Sequence, residues 1–105
     1  MIRETSPETN DDATATAVIT AGDYLNKLAG ESIERLCREK LDSGVKRLVV
    51  DFSETEIINS IGVSILLDVI DSAKKHDAKV VFAELREDSR ELFDMLGLTK
   101  HVTIV

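Results

Sequence analysis

Two apolar segments separated by a polar loop are the most informative part of this chain: Leu48-Val49-Val50-Asp51-Phe52 and Ile57-Ile58-Asn59-Ser60-Ile61-Gly62-Val63. The apolar run from Arg47 to Phe52 predicts a buried strand, and the apolar residues from about Ile61 to Lys75 predict a long helix. Ser60 lies where the two meet. A serine there can cap the helix, because its Oγ can accept an N–H that has no partner inside the helix. The same position suits a phosphate, because free N–H groups and the helix dipole favour negative charge.

Strand and helix patterns alternate on both sides of this stretch. Further strands are predicted at 14–21, 78–85 and 101–105, and further helices at 31–43 and from Asp88 or Ser89, as the cap, to Leu96. Gly44 and Gly97 follow the two additional helices, where glycine commonly ends a helix. The alternation predicts an α/β, two-layer fold with a largely parallel, mixed sheet of four to five strands and three to four helices.

The two main helices differ in how their apolar residues are arranged. In the helix at 31–43, apolar side chains fall on one face: Ile33, Leu36, Cys37 and Leu41. The helix after Ser60 has one such face at Val63, Leu66, Leu67 and Ile70, but Ile61, Ile65 and Val69 fall off it. This second helix is therefore either buried on two sides or presents an apolar patch at its first turn.

Composition limits the class of protein. The chain has 105 residues, of which 43% are hydrophobic and 31% charged, and a net charge of −7. These values predict a soluble protein that binds neither nucleic acid nor an anionic membrane. One cysteine and no signal-peptide pattern favour the cytoplasm. Residues 1–13 are predicted to be a polar segment that can add an edge strand, with a turn or a poorly ordered tail at 6–12, and residues 14–105 are predicted to form the domain.

No pattern indicates a metal or cofactor site. His76 and His101 lie on different elements, and Cys37 has no Cys or His at ligand spacing. Because Cys37 shares the apolar face with Ile33 and Leu41, we predict a buried structural thiol. Glycine-rich nucleotide loops are absent from the sequence.

Asp51 is a second candidate site. It ends a buried strand, where α/β folds place functional groups, and a phosphoacceptor aspartate occupies such a position. A phosphoacceptor aspartate also needs an acidic pair just after the first strand to hold a metal ion. In this chain the acidic pair Asp11-Asp12 comes before the first predicted strand. The preferred interpretation is therefore that Asp51 caps the following loop.

Three motifs together resemble one family. The strand running into Asn59-Ser60-Ile61-Gly62 is similar to the Asp-Ser-Ser/Thr-Gly turn of STAS-domain anti-sigma factor antagonists (anti-anti-sigma factors). Gly22-Asp23-Tyr24-Leu25-Asn26 resembles the Gly-Glu-Leu-Asp loop of that family. Leu92-Phe93-Asp94-Met95-Leu96-Gly97-Leu98 resembles its late helix ending in Gly-Leu. Asn59 stands where the family usually has Asp, and Ile61 where it has Ser or Thr.

The resemblance implies a regulator without catalytic activity of its own. It places the phosphorylation site at Ser60. The implied partners are a serine-kinase anti-sigma factor, bound by the unphosphorylated protein, and a serine phosphatase that restores this form. The partner surface would comprise Asp23, Tyr24, Leu25, Asn26, Asn59, Ser60, Ile61, Gly62 and Val63, with Gly62 leaving room for a kinase cleft.

Two alternatives to this function remain open. The first is a non-phosphorylated scaffold STAS module in a larger signalling or transport assembly. The second is a phosphoacceptor domain centred on Asp51. For the Asp23–Asn26 loop, a simple turn closed by a side-chain hydrogen bond is the alternative to a partner-binding role.

Overall fold

The computed structural model describes residues 3–5 and 16–105, and within them strands and helices alternate along the chain. The strands are β1 (Arg3–Thr5), β2 (Thr16–Thr20), β3 (Tyr24–Leu25), β4 (Arg47–Asp51), β5 (Ile57–Ile58), β6 (Lys79–Ala83) and β7 (Thr103–Ile104). The α-helices are α1 (Lys27–Asp42), α2 (Ser60–Lys75) and α3 (Glu87–Leu96), and a 3₁₀ turn spans Leu98–Lys100.

Five of these strands form one mixed sheet in the order β1-β2-β4-β6-β7. β2, β4, β6 and β7 run parallel, and β1 pairs antiparallel with β2 at the edge. β3 and β5 form a separate two-stranded parallel sheet. The predicted α/β two-layer fold with a mixed sheet and three helices is therefore confirmed.

The core lies between the sheet and the helices. Leu48 and Val50 of β4 are fully buried, as period-2 alternation requires when one face of a sheet is covered. From α1, Ile33, Cys37 and Leu41 enter the same core, while Leu36 is only half-buried. Three of the four residues of the predicted apolar face of α1 are therefore buried.

Helix α2 is buried on two sides, which explains its unusual hydrophobicity. Ile65 and Val69, which lie off the predicted face, are buried, whereas Leu67 is 44% exposed. Ile65 packs against α1 at Gly30, where an added Cβ would lie 2.7 Å from Ile65 Cδ1. Helix α1 thus covers the side of α2 that the sheet leaves open.

Helix α1 begins four residues earlier than the predicted start at Glu31. The Asn26 side chain caps it by accepting the Ala29 N–H at 2.9 Å. The segment predicted as a loop, Gly22–Asn26, therefore holds both β3 and this N-cap. Sequence pattern alone missed both features, because a two-residue strand has no periodicity of its own.

Other element boundaries differ by a few residues. The predicted caps of α3, Asp88 and Ser89, are wrong, because the helix starts at Glu87 after Arg86 without a side-chain cap. Gly97 ends α3 in the left-handed conformation at φ 82°, as predicted. The strands predicted at 78–85 and 101–105 are shorter. The predicted turn at 6–12, the pair Asp11-Asp12 and the first two residues of the strand at 14–21 lie outside the described residues.

None of the helices in the described ranges is long and apolar enough to cross a lipid bilayer.

Candidate functional site

Pairing between β3 and β5 brings the two predicted site segments together. Tyr24 lies opposite Ile57, and Leu25 opposite Ile58. The Asn59 N–H donates to the Leu25 carbonyl at 3.0 Å, which extends this pairing to the start of α2. The Asp23–Asn26 segment therefore lies against the start of α2, which is where one of its two candidate interpretations places it.

The N-cap of α2 is Asn59, so Ser60 does not have the capping role that was one of its two candidate roles. Asn59 Oδ1 accepts the Gly62 N–H at 2.8 Å, and Ser60 is the first helical residue. The Ser60 side chain is exposed. Because Asn59 already performs the capping, the Ser60 hydroxyl is not needed to begin the helix.

The first turn of α2 has the electrostatic character of an anion site. The N–H groups of Ser60 and Ile61 have no carbonyl acceptor within the helix, because the first backbone hydrogen bond of α2 runs from the Val63 N–H to the Asn59 carbonyl. The positive end of the helix dipole lies at the same turn. A phosphate on Ser60 would therefore be accommodated without opening the helix.

Gly62 is required by a contact inside the protein. A Cβ at this position would lie 2.6 Å from the Leu25 carbonyl oxygen and 2.8 Å from Leu25 Cγ. The close backbone approach predicted for a kinase cleft is thus made by β3 of the same chain. Gly62 holds the β3–β5 pair against α2.

The nine residues predicted to contact a partner differ in accessibility. Four are exposed: Asp23, Tyr24, Ser60 and Ile61. Two are half-buried: Asn26 and Asn59. Three are buried: Leu25, Gly62 and Val63. The buried residues and the two caps position the surface, and the exposed ones form it.

Ile57 is also exposed beside the predicted partner surface, although the sequence patterns did not single it out. It is 58% exposed, and its strand partner Tyr24 and nearby Ile61 are 44% and 49% exposed. We call Tyr24, Ile57, Ser60 and Ile61 the Ser60 face. The β-branched pair Ile57-Ile58 was a signal for a short strand. Its proximity to Tyr24 arises only from tertiary pairing.

A hollow of about 470 Å³ adjoins Ser60 on the side of α3. Its lining is mostly apolar: Ser60, Val63, Ser64, Leu67, Leu92 and Leu96. The leucine-rich helix recognised in the sequence therefore lies next to the predicted phosphorylation site.

The remaining candidate residues have structural roles. Asp51 Oδ1 accepts the Ser53 N–H at 2.9 Å, so Asp51 caps the following loop as predicted. Cys37 is buried, and this burial, with a smaller contribution from Glu34, raises the pKa of its thiol to about 12. The thiol is therefore neutral and structural. In the described part of the chain, no three His, Cys, Asp or Glu side chains form a group that could hold a metal ion.

Replacing Asn59 with alanine should lower the free energy of unfolding by about 1 kcal/mol, because the Gly62 N–H loses its acceptor. Replacing Ser60 with alanine should change it by less than about 0.5 kcal/mol, since Ser60 is exposed and does not cap the helix. Urea denaturation of both variants measures the difference. A larger loss in Ser60→Ala than in Asn59→Ala would contradict the assignment of the cap.

The sequence model of the STAS domain matches residues 7–105. BtrV of Bordetella bronchiseptica, whose name describes a candidate anti-sigma factor antagonist, is 27% identical over 73 residues. That match covers 70% of this chain and 63% of BtrV, so the chain matches less than two thirds of that relative.

Solved structures show the same fold at low identity. SpoIIAA in its unphosphorylated form superimposes with a TM-score of 0.73 at 15% identity, covering 98% of this chain and 87% of SpoIIAA. Phosphorylated SpoIIAA from Bacillus gives 0.71 at 17% identity, covering 98% and 91%. TM1081 of Thermotoga maritima gives 0.77 at 16% identity, covering 94% and 84%. Because the family match extends over most of the chain and the fold agrees with it, this chain belongs to the STAS domain family.

Proposed function

We propose that this protein is a cytoplasmic, phosphorylation-switched anti-sigma factor antagonist without catalytic activity of its own. The unphosphorylated protein binds a serine-kinase anti-sigma factor through the Ser60 face, and phosphorylation of Ser60 releases it until a serine phosphatase removes the phosphate. The observation that carries the proposal is the position of Ser60. It is exposed at the first turn of α2 and does not cap the helix, and it directly follows the β3–β5 pair, in which Tyr24 and Ile57 are exposed.

The physical effect of the modification is local. A phosphate adds about −1.5 to −2 charges and three strong acceptor oxygens. The first turn of α2 stabilises that charge, so the fold persists. On the Ser60 face the same charge lies beside Tyr24, Ile57 and Ile61, where an apolar partner surface would have to desolvate it. Binding is therefore weakened while the antagonist remains folded.

The relatives support the proposed function as an anti-sigma factor antagonist. BtrV is named as a candidate anti-sigma factor antagonist, and SpoIIAA is described as one. The fold of this chain resembles the unphosphorylated and phosphorylated forms of SpoIIAA almost equally, with TM-scores of 0.73 and 0.71. A switch that acts by surface charge rather than refolding is consistent with this similarity.

A phosphoacceptor function at Asp51 has less support. Asp51 is already engaged by the Ser53 N–H, and no metal-binding group of side chains occurs among the described residues. A scaffold without phosphorylation shares the whole fold with the proposed switch. Only the chemistry at Ser60 separates the two functions.

Phosphorylation is tested by incubating the protein with ATP and the serine kinase encoded nearest to it, followed by mass spectrometry. Wild type should gain one phosphate, and Ser60→Ala should gain none. Ser64→Ala is the matched control, because Ser64 is exposed one turn further along α2 and should leave phosphorylation unchanged. Unmodified wild type, or phosphate retained on Ser60→Ala, would reject the switch in favour of the scaffold.

The affinity for the kinase should fall when the side chain at position 60 carries a negative charge. Ser60→Asp should weaken binding by at least about tenfold, equivalent to roughly 1.4 kcal/mol, because a buried charge lacks a partner. Ser60→Ala should bind as tightly as unphosphorylated wild type and resist release by ATP. Isothermal titration calorimetry distinguishes these results, and equal affinities for Ser60→Asp and Ser60→Ala would place position 60 outside the interface.

A further inference from the structure

The basic side chains of this acidic protein are unevenly distributed. Two adjoining hollows, of about 320 and 430 Å³, lie where β4 and β6 begin and α2 ends. Five cationic residues line them: Lys46, Arg47, Lys74, Lys79 and Lys100. Asp77 is the single carboxylate among the described residues that line them. We call these two hollows the basic cleft. It concentrates positive charge in a chain of net charge −7.

The strand register brings these cations together. Arg47 and Lys79 are paired residues of the parallel strands β4 and β6, and the Lys79 N–H donates to the Lys46 carbonyl at 2.9 Å. Like charges so close repel one another, and the repulsion is relieved by a counter-ion. The arrangement therefore favours an anion between the two strand ends.

Two cations of the basic cleft make hydrogen bonds to groups that are not carboxylates. Lys46 Nζ donates to the His76 carbonyl at 2.7 Å, and Lys74 Nζ lies 3.1 Å from His101 Nδ1. Within residues 16–105, no carboxylate is within salt-bridge distance of any of the five cations. Lys75, which lies next to Lys74 on α2 but does not line the cleft, is by contrast paired with Asp71 at 3.3 Å.

We propose that the basic cleft binds a small free anion carrying two or more linked phosphate groups. Lysine ammonium groups bind phosphate as point charges, and hollows of this size admit a small ligand. Lys79 and Thr103 line both hollows. Two phosphate groups, one in each hollow, would therefore both contact these two residues. A ligand with linked phosphates would use both hollows at once, whereas a single phosphate would fill only one.

This site is independent of the proposed switch. Lys74 follows Ser60 by fourteen positions on α2, which corresponds to about 21 Å at 1.5 Å per residue. Loss of binding in the basic cleft would leave the Ser60 face intact, and loss of Ser60 phosphorylation would leave the cleft intact.

The probe is sodium tripolyphosphate, titrated into the full chain at low ionic strength while amide NMR shifts are followed. Saturable shifts should be confined to residues of the basic cleft, including Lys79 and Thr103, and inorganic phosphate should bind at least about tenfold more weakly. The double variant Lys79→Gln/Lys100→Gln should weaken tripolyphosphate binding by at least about tenfold. Both lysines are exposed, so the variant should remain folded.

The matched control is Lys27→Gln/Arg35→Gln, which removes two exposed positive charges from α1. It should leave the affinity within about twofold of wild type, since exposed charges far from the site are screened. No saturable binding, shifts spread over all basic residues, or an equal loss in the control would overturn the proposal. Phosphatidylglycerol vesicles form a separate arm. Binding to them that is lost in Lys79→Gln/Lys100→Gln, without tripolyphosphate binding, would assign the cleft to a membrane and overturn the free-anion proposal.

Discussion

Replacing Phe93 with alanine should lower the free energy of unfolding by about 3–5 kcal/mol. Phe93 is fully buried, and its ring meets Phe52 edge-on at 6.0 Å and Phe82 at 5.7 Å between centroids. Domains of this size are stable by about 5–15 kcal/mol, so the loss is a large fraction of the total. It should be visible as a reduced midpoint in urea denaturation followed by circular dichroism.

The reason for such a large effect is the position of Phe93 in α3. It is the one fully buried residue of this helix, while Leu92 and Leu96 are partly exposed along the hollow beside Ser60. Removing the ring leaves a cavity between α3 and the sheet. It also removes the packing that holds α3, and with it Leu92 and Leu96, in place beside the hollow.

Two control variants separate anchoring from a general effect of mutating α3. Met95→Ala lies in the same helix at an 83% exposed position and should change stability by less than about 0.5 kcal/mol. Phe93→Leu keeps an apolar side chain and should cost less than about 1.5 kcal/mol. A cost for Phe93→Ala no greater than that of Phe93→Leu would show that the aromatic cluster does not anchor α3.

The second large effect is expected at Gly62. Alanine should lower the free energy of unfolding by about 1–3 kcal/mol, although alanine is otherwise the best helix former. The added methyl would meet the Leu25 carbonyl oxygen, a backbone atom that already accepts the Asn59 N–H. Backbone on both sides of the contact is hydrogen-bonded, so the clash can be relieved only by moving β3 away from α2.

Displacing β3 should also change the Ser60 face, because Tyr24 and Ile57 are paired across β3 and β5. Gly62→Ala should therefore weaken kinase binding even at temperatures where the protein is folded. Ser64→Ala serves as the control, two positions further along α2 and exposed, and should affect stability by less than about 0.5 kcal/mol. Thermal denaturation together with calorimetric titration provides both readouts. A Gly62→Ala protein as stable as Ser64→Ala would show that the contact with Leu25 can relax.

Sequence patterns were reliable where burial alone determines structure. The run Leu48-Val49-Val50 became the central strand β4, and the apolar residues after Ser60 became α2. Gly97 ends α3 as predicted, because left-handed backbone is accessible to glycine. Each of these features follows from local residue preference or from hydrophobic period, which are properties of the chain itself.

Patterns failed where a distant segment supplies the hydrogen bonds. β3 and β5 have two residues each, and each exists because the other satisfies its backbone groups. From the residues alone Ser60 could be either a cap or a phosphorylation site, and in the structure Asn59 makes the capping bond of α2. Choosing between adjacent capping residues depends on where the chain enters the helix, and the pairing with Leu25 sets that entry.

The amino-acid sequence alone therefore predicts the order of the longer strands and helices, the buried layers and the candidate hydroxyl at Ser60, but not the short strands β3 and β5. Tertiary structure decided what surrounds that hydroxyl: it transferred capping to Asn59, placed Tyr24 and Ile57 side by side and made Gly62 a contact with Leu25. It also gathered lysines from separate elements into the basic cleft. The two kinds of feature differ in the sequence separation of the residues involved. Hydrophobic periodicity is encoded within one strand or helix, whereas contacts between distant segments exist only after the chain has folded.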